Sequence, residues 1–144
     1  MRFWVFTIPA LAAACAAVFA VAGGFGPSRS AAGVRTLAVA ERDFRITAPT
    51  QVRAGAVTLR VHNSGPDSHE LIVVHVTGKS LPLRPGGLSV DEDAVEHETP
   101  GGLEAGRPGA TRDLKLDLAP GRYELLCNMS GHYMGGMRTM LTVS

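Results

Sequence analysis

Gly121-Arg-Tyr-Glu-Leu-Leu-Cys127-Asn-Met-Ser-Gly-His132-Tyr-Met-Gly-Gly-Met137 starts as a strand and breaks into a glycine-rich turn. Successive side chains of a strand point to opposite faces, so Tyr123, Leu125 and Cys127 share one side. A thiol, an imidazole and a thioether then follow within the eleven residues from Cys127 to Met137. A thiol at a strand end has a fixed direction. Gly131, Gly135 and Gly136 permit the tight or positive-φ turns by which the following loop can curl back. His132 and Met137 are thereby expected to approach the same point as Cys127.

The segments that precede this stretch read as further short strands. Arg35 to Ile46 is expected to be a first strand, with Phe44 and Ile46 on one face. Ala56 to His62 alternates with period two: Val57, Leu59 and Val61 inward, Thr58, Arg60 and His62 outward. Asn63 to Ser68 is a loop by its turn residues. His69 to Val76 is a near-continuous β-branched run, as expected of a strand buried on much of both faces. Arg112 to Leu118 alternates with Leu114, Leu116 and Leu118 inward, and Arg138 to Val143 closes the domain. Thr77 to Ala110, rich in Gly and Pro, is too long for a hairpin loop. Within it Ser89-Val-Asp-Glu92 fits a capping box and predicts a short helix from about Val90 to Glu96. This segment is read as a helix-bearing excursion outside the sandwich. About six or seven short strands over roughly 110 residues, with turn signals between them, indicate an all-β fold: an antiparallel sandwich with Greek-key connections. No β-α-β alternation, phosphate loop or nucleophile elbow is present.

Residues 1–22 are of a different composition. Phe3 to Ala22 is almost wholly apolar and uncharged, Arg2 supplies a positive flank, and Ala20-Val21-Ala22 suits signal-peptidase cleavage. The run is close to the roughly 20 apolar residues that span a bilayer. A hydrophobic leader helix acting as signal peptide or as membrane anchor fits both observations. Residues 23–33, rich in Gly, Ser and Ala, read as a flexible linker, and 34–144 as the folded domain. Cys15 lies in the leader, so cleavage would leave Cys127 as the one remaining thiol. A lone thiol in an exported domain is buried and inert, paired with another molecule, or a ligand or nucleophile. A net charge of +1 does not mark the chain as a nucleic-acid binder.

Three donors from one loop do not close a metal site, and the remaining imidazole is expected from another strand. His69 stands at the mouth of the buried strand. His62 faces outward, His75 reads as an ordinary strand histidine, and His97 falls in an acidic, solvated helix. Two His, one Cys and a weak Met form the ligand set of a blue-copper centre. The expected metal ligands are therefore His69, Cys127, His132 and Met137, with Met134 a rival for the axial position. Leu71, Leu125, Leu126, Met129 and Met134 are expected to form a water-excluding shell.

Cys127-x4-His132-x4-Met137, the upstream His69 and Gly121-x-Tyr123-x-Leu125-x-Cys127 resemble the type 1 copper signature of cupredoxins, the plastocyanin and azurin family. The loop spacing is most similar to that of azurin, rusticyanin and sulfocyanin. The resemblance implies a cupredoxin-like β-sandwich over roughly Val34 to Ser144. It also implies one bound copper ion and one-electron shuttling outside the cytoplasm. Many members carry Asn or Ser directly after the first His, where the side chain ties the two ligand loops together. Here that place is Glu70.

The expected function is that of an exported, monomeric type 1 copper protein at the periplasmic or extracellular face of the membrane. It would act as an electron shuttle and not as an enzyme, because multicopper enzymes need further copper centres and more histidines. Redox partner proteins would dock on a small apolar patch around His132, formed by Gly131, Tyr133, Met134 and Gly135. The methionines near the loop motivate an alternative, a periplasmic copper carrier that holds Cu(I).

Overall fold

The computed structural model describes residues 33–78 and 80–144. The leader at 1–22 and all of the 23–33 linker except Gly33 lie outside the described residues. Among the described residues no helix is long and apolar enough to cross a membrane.

Among the described residues there are nine strands: β1 (Arg35–Arg42), β2 (Arg45–Thr47), β3 (Gln51–Val52), β4 (Gly55–Asn63), β5 (His69–His75), β6 (Gly101–Gly106), β7 (Thr111–Leu118), β8 (Gly121–Leu126) and β9 (Arg138–Val143). They form a four-stranded sheet in the order β2-β1-β4-β7 and a five-stranded sheet in the order β3-β9-β8-β5-β6. Val39, Val57, Leu59 and Val61 of the first sheet meet Leu71, Val73, Leu125 and Val143 of the second in one buried cluster. The molecule is therefore a β-sandwich, as its alternating strands predict. It is mixed rather than antiparallel: β1 runs parallel to β4, and β3 parallel to β9. The chain crosses to the other sheet at β3 before returning as β4, and such a crossover is what a parallel pair requires.

Three further expectations are corrected. Arg35 to Ile46 is a hairpin, not one strand: β1 and β2 pair antiparallel around Asp43 and Phe44, with Arg42 opposite Arg45. Ile46 is buried while Phe44 is exposed, so the two do not share a face. The sequence lacks the Asn-Gly or Asp-Gly that usually marks a two-residue hairpin, and Phe44 itself takes a φ of 22°.

Second, the Thr77–Ala110 segment is not wholly outside the sandwich. Its β6 pairs with β5 as the edge of the five-stranded sheet. Gly101 and Gly102 hide this strand from a propensity argument. They are required by close approach: a Cβ on Gly102 would lie 2.9 Å from the Leu71 carbonyl, and one on Gly101 2.9 Å from Leu116.

Third, the capping box does not form. The helix is a single 3-10 segment at Asp93–Glu98, and no side chain caps its start. Val90 instead gives its N–H to Asn128 Oδ1 at 2.6 Å, and its carbonyl accepts from Asn128 Nδ2 at 3.0 Å. A buried long-range pair outweighs a local cap.

The run from His69 onward is covered on both faces, as its composition predicts. Leu71 and Val73 enter the core between the sheets. Val74 and Leu126 pack outward with Leu81, Val90, Val95 and Tyr133 in a second cluster. The excursion is thus a lid over the outer face of the five-stranded sheet.

Candidate metal centre

β5 begins at His69, β8 delivers Cys127 just beyond its last residue, and β9 begins one residue after Met137. β5 and β9 are both antiparallel neighbours of β8. All these strand ends therefore lie at one end of the sheet. The loop between Cys127 and Met137 is sewn into a compact turn. His132 N–H donates to the Met129 carbonyl at 2.8 Å, Gly135 N–H to Gly131 at 2.9 Å, and Met137 N–H to His132 at 3.0 Å. Cys127 N–H closes the loop on the Met137 carbonyl at 3.0 Å. Gly131 (φ 81°) and Gly136 (φ 101°) supply the left-handed residues that the curl needs.

The result brings one ligand atom each of His69, Cys127 and His132 within 4.8 Å of one another. Among the described residues no other His, Cys, Asp and Glu group meets this condition. Cys127 Sγ is 3.5 Å from His132 Nδ1, and the two imidazole rings are 5.2 Å apart. Met137 is wholly buried in the cluster that contains Cys127, whereas Met134 is 53% exposed. His62 lies on the outer face of β4 against Thr111, His75 stacks on Tyr123, and His97 sits in the exposed last turn of the 3-10 helix. None of these three joins the group.

Burial dominates the electrostatics of the site. Burial pushes the Cys127 thiol up, against the pull of the Met129 and Glu70 N–H groups. A bare thiolate is therefore disfavoured here, and a bound metal would supply the missing positive charge. Burial also pushes His69 down, opposed by Asp43 and reinforced by His132. A metal ligand must be a neutral imidazole, so this shift favours ligation. Both His69 nitrogens are buried without a hydrogen bond. One thiol, two imidazoles and a buried thioether are soft and borderline donors, the set that suits copper.

Side chains behind the candidate ligands hold them. Glu70 Oε1 accepts the N–H of Asn128 at 3.1 Å. It thus ties the two ligand segments, the task that falls to Asn or Ser in many cupredoxins. Burial and the nearby Glu92 push its carboxyl up, while the Asn128 N–H pulls it down. Arg112 donates to the His69 carbonyl and to the buried Glu41, each at 3.1 Å, and also to the Glu104 carbonyl. Asn128 anchors the end of β8 to the lid through Val90 and through Glu92 Oε1 at 2.6 Å.

The expected docking rim is corrected at one residue. Tyr133 is buried, with its hydroxyl on Glu124 and the Arg138 guanidinium over its ring. Phe44 takes the place by the imidazole instead, edge-on to His132 at 5.4 Å and packed against Gly135. The water-excluding shell is likewise smaller than expected: Leu71, Leu125 and Met129 line the inner core, Leu126 faces the lid, and Met134 is exposed. Reasoning from sequence missed Phe44 and Asp43, because their turn reads as strand, and it missed Asn128, which carries no local signal.

A sandwich of this strand order, with these donors at one end, has the cupredoxin fold. Among solved structures it is similar to auracyanin A, a "blue" copper protein from Chloroflexus aurantiacus (21% identity, 78% of this chain and all of that one, TM-score 0.59). It is also similar to auracyanin from Roseiflexus castenholzii (19%, 76% and 96%, TM-score 0.58) and to rusticyanin from Thiobacillus ferrooxidans (14%, 76% and 78%, TM-score 0.56). No family model matches the chain, and no curated protein does.

Proposed function

We propose that this protein is a mononuclear type 1 copper protein that relays single electrons, and that His69, Cys127, His132 and Met137 would hold the ion. The observation that carries this reading is the convergence of three ligand atoms within 4.8 Å beside a wholly buried methionine. Bound copper would supply a Cu(II)/Cu(I) couple, and two imidazoles, a thiolate and a thioether are the donors that suit it for electron transfer. The chain's own part is to hold the donors still. β5 fixes His69, the Cys127–Met137 bond fixes the loop ends, and Glu70 locks one to the other. Leu71, Leu125 and Met129 keep water from the inner side. His132 is half-buried and points the site toward the surface, where Phe44, Met134, Gly131 and Gly135 offer a small apolar rim. Weak, fast encounters with a redox partner need only a small interface.

The carrier alternative drew on clustered methionines. Met129 and Met137 pack into the core around Cys127 while Met134 is exposed, an arrangement that favours retention of the ion over its exchange. The leader at 1–22 supports export, as signal peptide or anchor. The test is optical: Cu(II) added to the purified domain should give an intense thiolate-to-copper band. A colourless complex rejects the reading.

A further inference from the structure

The β1–β2 turn reaches over the metal centre and touches both imidazoles. Asp43 Oδ1 lies 2.8 Å from His69 Nε2. The contact stands off the axis on which a hydrogen bond would form, and neither atom has any other partner although both are buried. Gly65 closes the third side: a Cβ there would lie 3.0 Å from each of the two atoms. An unmet buried group costs about 1–3 kcal/mol, and at 2.8 Å a small turn of either side chain closes a hydrogen bond between these two atoms. The turn is itself held under strain. Phe44, at φ 22°, is in a region that costs a non-glycine residue on the order of 1–3 kcal/mol. Its ring packs on Gly135 and His132. This packing pins the turn where Asp43 meets His69.

We propose that Asp43 is a positioning residue of the metal centre: its carboxylate holds the proton on His69 Nε2 and so reserves Nδ1 for the metal ion. The inference rests on the copper reading and specifies how that site is set. A neutral imidazole carries one N–H and one lone pair, and a carboxylate can only accept. Nε2 therefore bears the proton, and the unpartnered Nδ1 bears the free lone pair. A carboxylate behind a ligating imidazole also makes it a stronger donor, and this favours the more highly charged Cu(II) over Cu(I).

Wild type, Asp43→Asn and Asp43→Ala are compared. In metal-free wild type, nitrogen NMR should find a neutral His69 ring protonated at Nε2, and Asp43→Ala should lose that preference. Affinity for Cu(II) should fall about 10–100-fold in Asp43→Ala. Affinity for Cu(I) should fall less, and each tenfold difference between the two raises the reduction potential by about 59 mV. Asp43→Asn, which keeps the shape and removes the charge, should shift the potential in the same direction by a smaller amount. If Asp43→Ala does not fold, Asp43→Asn decides by potential and tautomer. A lower melting temperature with unchanged tautomer, affinity and potential would overturn the proposal and leave the copper reading intact. A wild-type protein without the thiolate band would overturn both.

Discussion

The two sheets use the same alternation to opposite ends. In the four-stranded sheet, β4 buries Val57, Leu59 and Val61 and turns Arg60 and His62 to solvent. Its outer face is written in exposed charge, as in the Arg60–Asp113 pair at 2.9 Å. In the five-stranded sheet, β5 and β8 are buried on both faces, because the lid carrying Leu81, Val90 and Val95 covers the side that would otherwise be wet. All the proposed ligands belong to this second sheet or to the loop between two of its strands. A strand packed on both sides cannot rock, so its end can hold a side chain to within a fraction of an ångström. The comparison teaches that the lid steadies the strands that carry the proposed ligands, although none of its own residues is among them.

The most severe way to break the contrast is Cys127→Ser. It should abolish the thiolate-to-copper band entirely while the sandwich persists by circular dichroism. Next is Leu126→Ala, set beside Leu59→Ala. Both side chains are wholly buried, one under the lid and one between the sheets. Each should cost about 2–5 kcal/mol in urea denaturation. A much smaller cost for Leu126 would mean that the lid is loosely packed and that the sheets do not differ as described.

Asn128→Ala should cost about 1–3 kcal/mol, because it leaves the N–H and carbonyl of Val90 unpaired beneath the lid. It should also broaden the copper band by loosening the loop, whereas no variant on the outer face of β4 should do so.

A smaller effect is expected from Glu124→Gln. Burial raises the Glu124 carboxyl above its ordinary 4.5, opposed by Arg138 and the Tyr133 hydroxyl. The folded state then binds more protons than the unfolded chain from pH 4.5 up to the raised value. Stability from this group falls as pH climbs through that window and is level above it. In metal-free protein the Gln variant should therefore lose stability less steeply than wild type over that range, read as the difference in urea midpoint. Glu41 and Glu70 are shifted in the same direction by burial. His69 is shifted down, so its contribution rises with pH toward 6.5. Only the difference from wild type isolates Glu124. The smallest effect belongs to the open sheet: Arg60→Ala removes an exposed ion pair and should leave the denaturation midpoint within error.

Much of this was legible along the chain. Period-two alternation is a local property, and so is the continuous β-branched run of β5; together they mark β4, β5, β7, β8 and β9 nearly to their ends. The spacing from Cys127 to Met137, with His69 at the head of a doubly buried strand, pointed to residues that converge. What escaped were features whose partner lies far along the chain. β6 was hidden because its glycines exist to let Leu71 and Leu116 approach. The β1–β2 turn was hidden because packing on Gly135 and His132 holds a Phe where a Gly would be expected. Tyr133 was assigned to the surface because nothing next to it announces Glu124 or Arg138.

By itself, then, the order of residues determined the strand periodicity, the candidate donors of the Cys127–Met137 loop and the glycines that let it bend, since each depends on neighbours within a few positions. Only the tertiary structure decided what stands behind those donors: Asp43 against His69, Glu70 across to Asn128, Arg112 on the His69 carbonyl. Such contacts join segments whose separation along the chain carries no period, and they exist because burying a polar atom in a dry interior is costly until another segment meets it.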